Sequence, residues 1–142
     1  MSKRDFLAIT PDYSSYSVAA IHANIGAHLL AWHIDQFDDT SFWLSEAPLS
    51  FEIQEKTSEH TCFCCQNDDL ELKSWIVTNT GTEGSLLLGK PKPDHFLVLQ
   101  SESADAFIKR WIENLHASKA IFMYRMLSEK EINQLPWILY LP

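Results

Sequence analysis

The pattern that most restricts the fold lies between residues 95 and 126. Apolar residues at i, i+3 and i+4 spacing between 104 and 115 predict an amphipathic helix, which Ser101 or Ser103 can cap. Residues 95–100 before it and 119–126 after it have the apolar, partly alternating composition of strands. A helix between two strands packs on the sheet and returns the chain parallel to the first strand, so we predict a βαβ unit.

The remaining segments extend this unit into one sheet-based domain. Residues 13–22 predict a strand, and Asn24 is a candidate N-cap for a helix over residues 25–37 that is apolar on several sides. A meander of short strands should occupy residues 42–78, and a final strand residues 137–141. The turns of the meander are predicted at residues 47–48, 56–58 and 67–69. The spacing of Ser128 and Glu131 predicts a capping box at the start of a short helix. We therefore expect a single α+β domain over residues 1–142, with an antiparallel or mixed sheet and two main helices.

Charge and cysteine content exclude several classes of protein. Eleven Lys and Arg against nineteen Asp and Glu give a formal net charge of −8, which disfavours nucleic acid and anionic membrane as partners. The apolar runs are too short to cross a bilayer, and the N-terminal residues lack the apolar core of a signal peptide. Three cysteines bunched at Cys62, Cys64 and Cys65 do not form a disulfide framework, so we expect a cytoplasmic location.

The order of elements resembles a family of small uncharacterised bacterial proteins named after a signature, IPExxxVDY. Three segments carry the resemblance: residues 21–34 with His28-Leu29 and Ala31-Trp32, residues 68–79 with Asp68-Asp69-Leu70 and Trp75 to Asn79, and residues 87–95 at the signature itself. Of the named signature letters, the chain has only the Asp, at Asp94. The chain is therefore similar to a divergent member of this family. The resemblance implies a compact cytoplasmic α+β protein without a nucleotide-binding loop. It also disfavours a protein that belongs to a recognisable class of enzyme.

The best metal-binding candidate is the segment that contains His60, Cys62 and Cys64. Strand alternation would place these three side chains on one face. However, same-face residues of a straight strand lie about 6.6 to 7 Å apart, too far for one tetrahedral zinc ion. We therefore expect buried free cysteines, with no metal and no cofactor.

A second hypothesis places chemistry at His28 or His33 together with Asp94 or Tyr124. It requires a pocket between the first helix and the sheet, as in a small-molecule-binding protein or an enzyme. His28 and His33 are five residues apart, so their rings diverge by about 140° around a helix. Asp94 follows Pro93 at a strand entry, where we expect its carboxylate to accept backbone N–H groups.

The main functional prediction is a noncatalytic protein-interaction module that self-associates. The five Trp residues are scattered along the chain at core-like positions, which suits packing better than a stacking platform for bases or sugars. Surplus apolar surface is usually covered at an interface between subunits. The expected partner is therefore a second copy in a homodimer, or another protein. The small-molecule-binding protein or enzyme is the alternative.

Overall fold

A computed structural model describes residues 13–88 and 91–142, which fold around a six-stranded sheet with the two longest helices on one face. The elements, in chain order, are β1 Tyr16–His22, α1 Ala27–Phe37, β2 Trp43–Leu44, β3 Leu49–Ile53, β4 Lys56–His60, β5 Cys62–Asn67, β6 Leu72–Thr78, β7 His95–Gln100, α2 Ala104–Ala117, β8 Met123–Met126, α3 Glu129–Ile132 and a 3₁₀ helix Pro136–Tyr140. This architecture confirms the predicted α+β class with two main helices.

The order of strands is β2-β5-β6-β7-β1-β8, and neighbouring strands in the sheet are antiparallel. β1 lies between β7 and β8, since Ile21 is opposite both His95 and Tyr124. β7 and β8 are therefore parallel to each other without being neighbours. The predicted βαβ path through α2 is present, but β1 is inserted between its two strands.

Side chains alternate between the two faces of the sheet and build two separate cores. On one face, α1 and α2 bury Ile34 and Trp111 against Ile21 and Leu97. On the other face, the β3–β4 hairpin, α3 and the 3₁₀ helix cover the sheet. The buried residues of this second core include Val18, Phe96, Val98, Trp137 and Ile138. Both faces of the central strands β1 and β7 are thus buried, which accounts for their nearly continuous apolar sequence.

The predicted closing strand over residues 137–141 is wrong, because this segment is a 3₁₀ helix. Pro136 stands at its start, where its fixed φ suits a helical turn and its missing N–H is not needed. Trp137 and Ile138 are buried in the second core, so the apolar residues that resemble a strand pack from a helix instead. The last residue is also held, since Trp75 donates its indole N–H to the Pro142 carbonyl at 2.8 Å.

The predicted turn at residues 56–58 is also wrong, because these residues belong to β4. The hairpin turns instead at Gln54 and Glu55, whose φ values are +50° and +68°. The strand expected across residues 60–66 is interrupted at Thr61, which separates β4 from β5. The turn expected at residues 67–69 is present, since β5 and β6 form a hairpin across it.

The helix ends differ in how well the sequence predicts them. The capping box is confirmed, since the Ser128 hydroxyl accepts the Glu131 N–H and the Glu131 side chain accepts the Ser128 N–H. Gly26, rather than Asn24, is the N-cap of α1. Ser103 is the N-cap of α2 but makes no side-chain capping bond. Within the described ranges, no helix has both the length and the apolar character needed to cross a membrane.

Candidate functional site

The structure does not gather the predicted catalytic residues around one cavity. His28 is exposed and His33 is partly exposed on α1. In the described part of the chain, α1 lines none of the five cavities of about 180 to 370 Å³. Asp94 lines none of them either, whereas Tyr124 lines two. The pocket that would join these residues between α1 and the sheet is thus not among those cavities.

Asp94 connects the start of β7 to the end of β1. Its carboxylate accepts the Ala23 N–H at 3.0 Å, and its own N–H donates to the Ile21 carbonyl at 2.8 Å. The Asp94 carbonyl accepts the Asn79 N–H at 2.9 Å. Asp94 therefore makes the backbone contacts expected of a residue at a strand entry.

The neighbouring His95 is buried and also holds backbone. Its Nε2–H donates to the Ile25 carbonyl at 3.0 Å, while Nδ1 lies 3.4 Å from the Thr78 hydroxyl. Burial lowers the pKa of His95, against the opposing effects of the Ile25 hydrogen bond and Asp94. The imidazole thus joins β7 to the segment that leads into α1.

His60, Cys62 and Cys64 do not converge on a common point. His60 donates from Nδ1 to the Thr78 carbonyl at 3.0 Å, and its ring lies against Gly81. Cys62 and Cys64 lie on the same face of β5. All three cysteines of the chain are free and buried. The hydrogen bond to Cys64, together with burial, raises the pKa of the Cys62 thiol. Among the described residues, no group of three or more His, Cys, Asp or Glu side chains could hold a metal ion.

Tyr124 leads to a different kind of site, the open edge of the six-stranded sheet. β8 is the last strand of the described sheet, and all four of its residues are exposed. Met123, Tyr124 and Met126 each keep 40% of their surface accessible, and the preceding Phe122 keeps 57%. We name residues 122–126 the β8 edge. A strand this apolar and this accessible is unusual, because proteins generally protect such edges with charge, proline or a covering element.

The backbone of the β8 edge has two residues that point away from β1. The Leu127 N–H donates to the Val18 carbonyl at 2.9 Å. Hydrogen-bonded pairs alternate along an antiparallel ladder, so Arg125 and Met123 also face β1. Tyr124 and Met126 then direct their N–H and C=O groups toward the open side. Four main-chain groups therefore have no partner among residues 13–88 and 91–142 and can pair with another strand.

An apolar groove lies on each side of the β8 edge. One, of about 370 Å³, lies on the face opposite the main helices and is lined by Ala20, His22, Leu87, Leu88, Pro91, Pro93, Met123, Tyr124 and Arg125. The other, of about 280 Å³, is bounded by α2 and is lined by Asp105, Lys109, Ile112, Glu113, Tyr124 and Met126. A strand added to β8 would place its alternate side chains next to these two grooves.

Besides the charged side chains of α2 that line one groove, the β8 strand itself carries one charge, that of Arg125. Arg125 donates to the Glu131 carboxylate, which also belongs to the capping box of α3. The hydrogen bond from Arg125, followed by the one from the Ser128 N–H, lowers the pKa of Glu131. A positive and a negative side chain thus stand together beside an otherwise apolar strand.

The opposite edge of the sheet, formed by β2, is less suited to pairing with another strand. β2 has only two residues, Trp43 and Leu44, both exposed. It pairs with β5 through the Trp43–Cys64 and Leu44–Phe63 positions. A ladder this short supplies fewer main-chain groups than β8, so we take β8 as the candidate interaction edge.

The sequence placed Tyr124 on a strand but did not identify that strand as an open edge. The available signal was that residues 121–124 are apolar on both faces of the strand, a pattern typical of a strand covered on both sides. In the structure both faces are accessible instead. No family model matches the chain, and no curated protein is significantly similar to it.

Proposed function

We propose that the chain is a noncatalytic protein-interaction module of the cytoplasm, and that two copies associate through the β8 edge. The observation that carries the proposal is the accessibility of all four β8 residues at an open sheet edge, three of them large and apolar. Apolar burial and main-chain hydrogen bonds would then act together in one contact. Three buried free thiols are consistent with a reducing compartment.

A second copy is the partner that best matches this edge. An isologous dimer needs a surface that is complementary to itself. Tyr124 and Met126 supply both donors and acceptors, so an antiparallel copy of β8 meets them with the same groups. The Arg125–Glu131 pair beside the strand carries no net charge, so it adds nothing to the repulsion between two acidic proteins.

The test is the oligomeric state of three variants, measured by native mass spectrometry and sedimentation between 1 and 100 μM. Tyr124→Pro removes an N–H that points away from β1, so it should prevent pairing while leaving the β1–β8 ladder intact. Met126→Lys should have the same effect by placing a charge on the edge. Leu44→Lys on β2 is the matched control at the opposite edge, where Leu44 is 58% accessible.

We expect a dimer for the unmodified protein and for Leu44→Lys, and a folded monomer for the two β8 variants. Circular dichroism and urea unfolding at one low concentration confirm that each monomer is folded. A protein that stays monomeric at 100 μM would overturn the proposal. So would a dimer that survives both β8 substitutions.

A further inference from the structure

We infer that the two β8 strands pair antiparallel with Arg125 on the two-fold axis, so that Tyr124 of one copy is opposite Met126 of the second copy. This inference rests on the proposed self-association and specifies its register. It follows from three features of the edge: the direction of its main-chain groups, the chemistry of its side chains and the ion pair beside it.

The main-chain groups restrict the register to three possibilities. Tyr124 and Met126 are the β8 residues that point outward, and an outward residue must face another outward residue to exchange hydrogen bonds. The symmetric solutions place Tyr124, Arg125 or Met126 on the axis. Each solution makes a different residue its own partner across the interface.

Only the register centred on Arg125 keeps every new hydrogen bond within the four residues of β8. Centring on Tyr124 would pair Met126 with Phe122, whose N–H already donates to the His22 carbonyl at 3.1 Å. Centring on Met126 would pair Tyr124 with Ser128, whose N–H already donates to Glu131 at 3.1 Å. With Arg125 on the axis, Tyr124 and Met126 of both copies exchange four hydrogen bonds.

The same register brings an aromatic ring next to a thioether twice. Tyr124 and Met126 lie on the face of the sheet that α2 covers, where the Tyr124 ring is 5.8 Å from that of His116. A directly opposed Tyr–Met pair buries apolar surface on both partners and allows sulfur–aromatic contact. The symmetry of the dimer produces this pair on each side of the axis.

The Arg125–Glu131 ion pair reduces the charge repulsion expected between the two copies of Arg125 on the axis. Two Arg125 side chains that face each other would repel, which destabilises a cross-strand pair. Each Arg125 carries its own Glu131, so two guanidinium groups and two carboxylates meet at the axis. Glu131→Gln keeps the acceptor that the capping box needs but removes the negative charge. We expect it to weaken dimerisation about two- to fivefold, because the two Arg125 charges that face each other on the axis then repel without a neutralising carboxylate.

Three variants that each add one cysteine to the three native ones identify the register, since each reports one residue on the axis. In the proposed register, the two Arg125→Cys positions have Cα atoms about 4.5 Å apart, within disulfide range. The two Tyr124→Cys positions, and the two Met126→Cys positions, are displaced by two residues along the strand, so their Cα atoms lie more than about 7 Å apart. The three native cysteines are buried and should not form cross-links.

We expect a glutathione redox buffer to convert Arg125→Cys into a disulfide-linked dimer, and to leave the other two variants and the unmodified protein without cross-links. Non-reducing electrophoresis at a concentration where native mass measurement shows dimer gives the readout. Cross-linking at position 124 or 126 instead, or at none of the three in a dimeric protein, would overturn this register. The proposed function itself fails only on the separate mass measurement.

Discussion

Trp111, in the middle of α2, donates its indole N–H to the carboxylate of Asp38, the residue that follows α1. Arg110 donates to the same carboxylate oxygen, and the Asp38 N–H donates to the Ile34 carbonyl at 3.0 Å. Partial burial of Asp38 is outweighed by the hydrogen bonds from Trp111 and Arg110, so its pKa lies below the usual value. One carboxylate thus joins the two main helices on the same face of the sheet.

Removal of this carboxylate should destabilise the fold. Asp38→Ala leaves the buried indole N–H of Trp111 without a partner, which costs about 1–3 kcal/mol of unfolding free energy. Asp39→Ala is the matched control, because it removes an exposed carboxylate at the adjacent position. Urea unfolding at pH 7 measures both variants. Equal stability of the two variants would show that the Asp38 contact contributes nothing.

Asn79 should be the most sensitive polar position in the loop that borders the larger β8 groove. Its fully buried side chain donates to the Leu87 and Pro93 carbonyls at 2.9 and 2.8 Å and accepts the Leu87 N–H at 2.8 Å. Asn79→Ala leaves three backbone groups without partners, so we expect a loss of about 2–4 kcal/mol in urea unfolding. Thr80→Ala, next to it but exposed, should change stability by less than about 0.5 kcal/mol.

The turn between β3 and β4 can be improved. Gln54 and Glu55 both have positive φ, as a two-residue turn of type I′ requires, yet neither residue favours that conformation. The double variant Gln54→Asn/Glu55→Gly introduces the pair of residues that such a turn prefers, so it should stabilise the protein by about 1 kcal/mol. Glu55→Gln alone keeps the unfavourable φ and serves as the control. A double variant with a lower midpoint of urea unfolding than the control would contradict this account.

Two buried histidines should make the fold sensitive to mild acid. Burial lowers the pKa of both His60 and His95. The unfolded chain, in which histidine titrates near about 6.5, therefore binds more protons than the folded chain as the pH falls below that value. Their contribution to stability is complete above about pH 6.5 and is lost progressively below it.

We expect a lower unfolding free energy at pH 5.5 than at pH 7.5, and a smaller difference in His95→Asn. The exposed His28 provides the control, since His28→Gln should keep the pH dependence of the unmodified protein. Urea unfolding at both pH values gives the comparison. Identical pH dependence in all three proteins would exclude His95 as its source.

The parts of the fold that the sequence predicts are those with a local periodic signal. Ile108, Trp111, Ile112 and Leu115 recur at helical spacing, and all four are buried in the first core. The capping box at Ser128 is equally local, since the four residues from Ser128 to Glu131 contain the whole signal. In both cases the side chains that determine the structure are neighbours in sequence.

The parts that it does not predict depend on distant partners or on unfavourable local conformations. Nothing near Ile21 indicates that it pairs with both His95 and Tyr124, because strand pairing leaves no trace in the separate segments. Gln54 and Glu55 lack the Gly or Asn that marks a tight turn. Tyr124 lies in a segment with the composition of a buried strand, so only the strand order identifies this segment as an open edge.

The insertion of β1 between β7 and β8 affects how the protein is made. β1 is the first strand of the described sheet to leave the ribosome, yet both of its neighbours are translated much later. During synthesis its apolar side chains therefore remain without their final contacts until α2 and β8 emerge. The sheet thus cannot be completed until β8 has been synthesised, and a nascent chain stopped before β8 would expose a central strand.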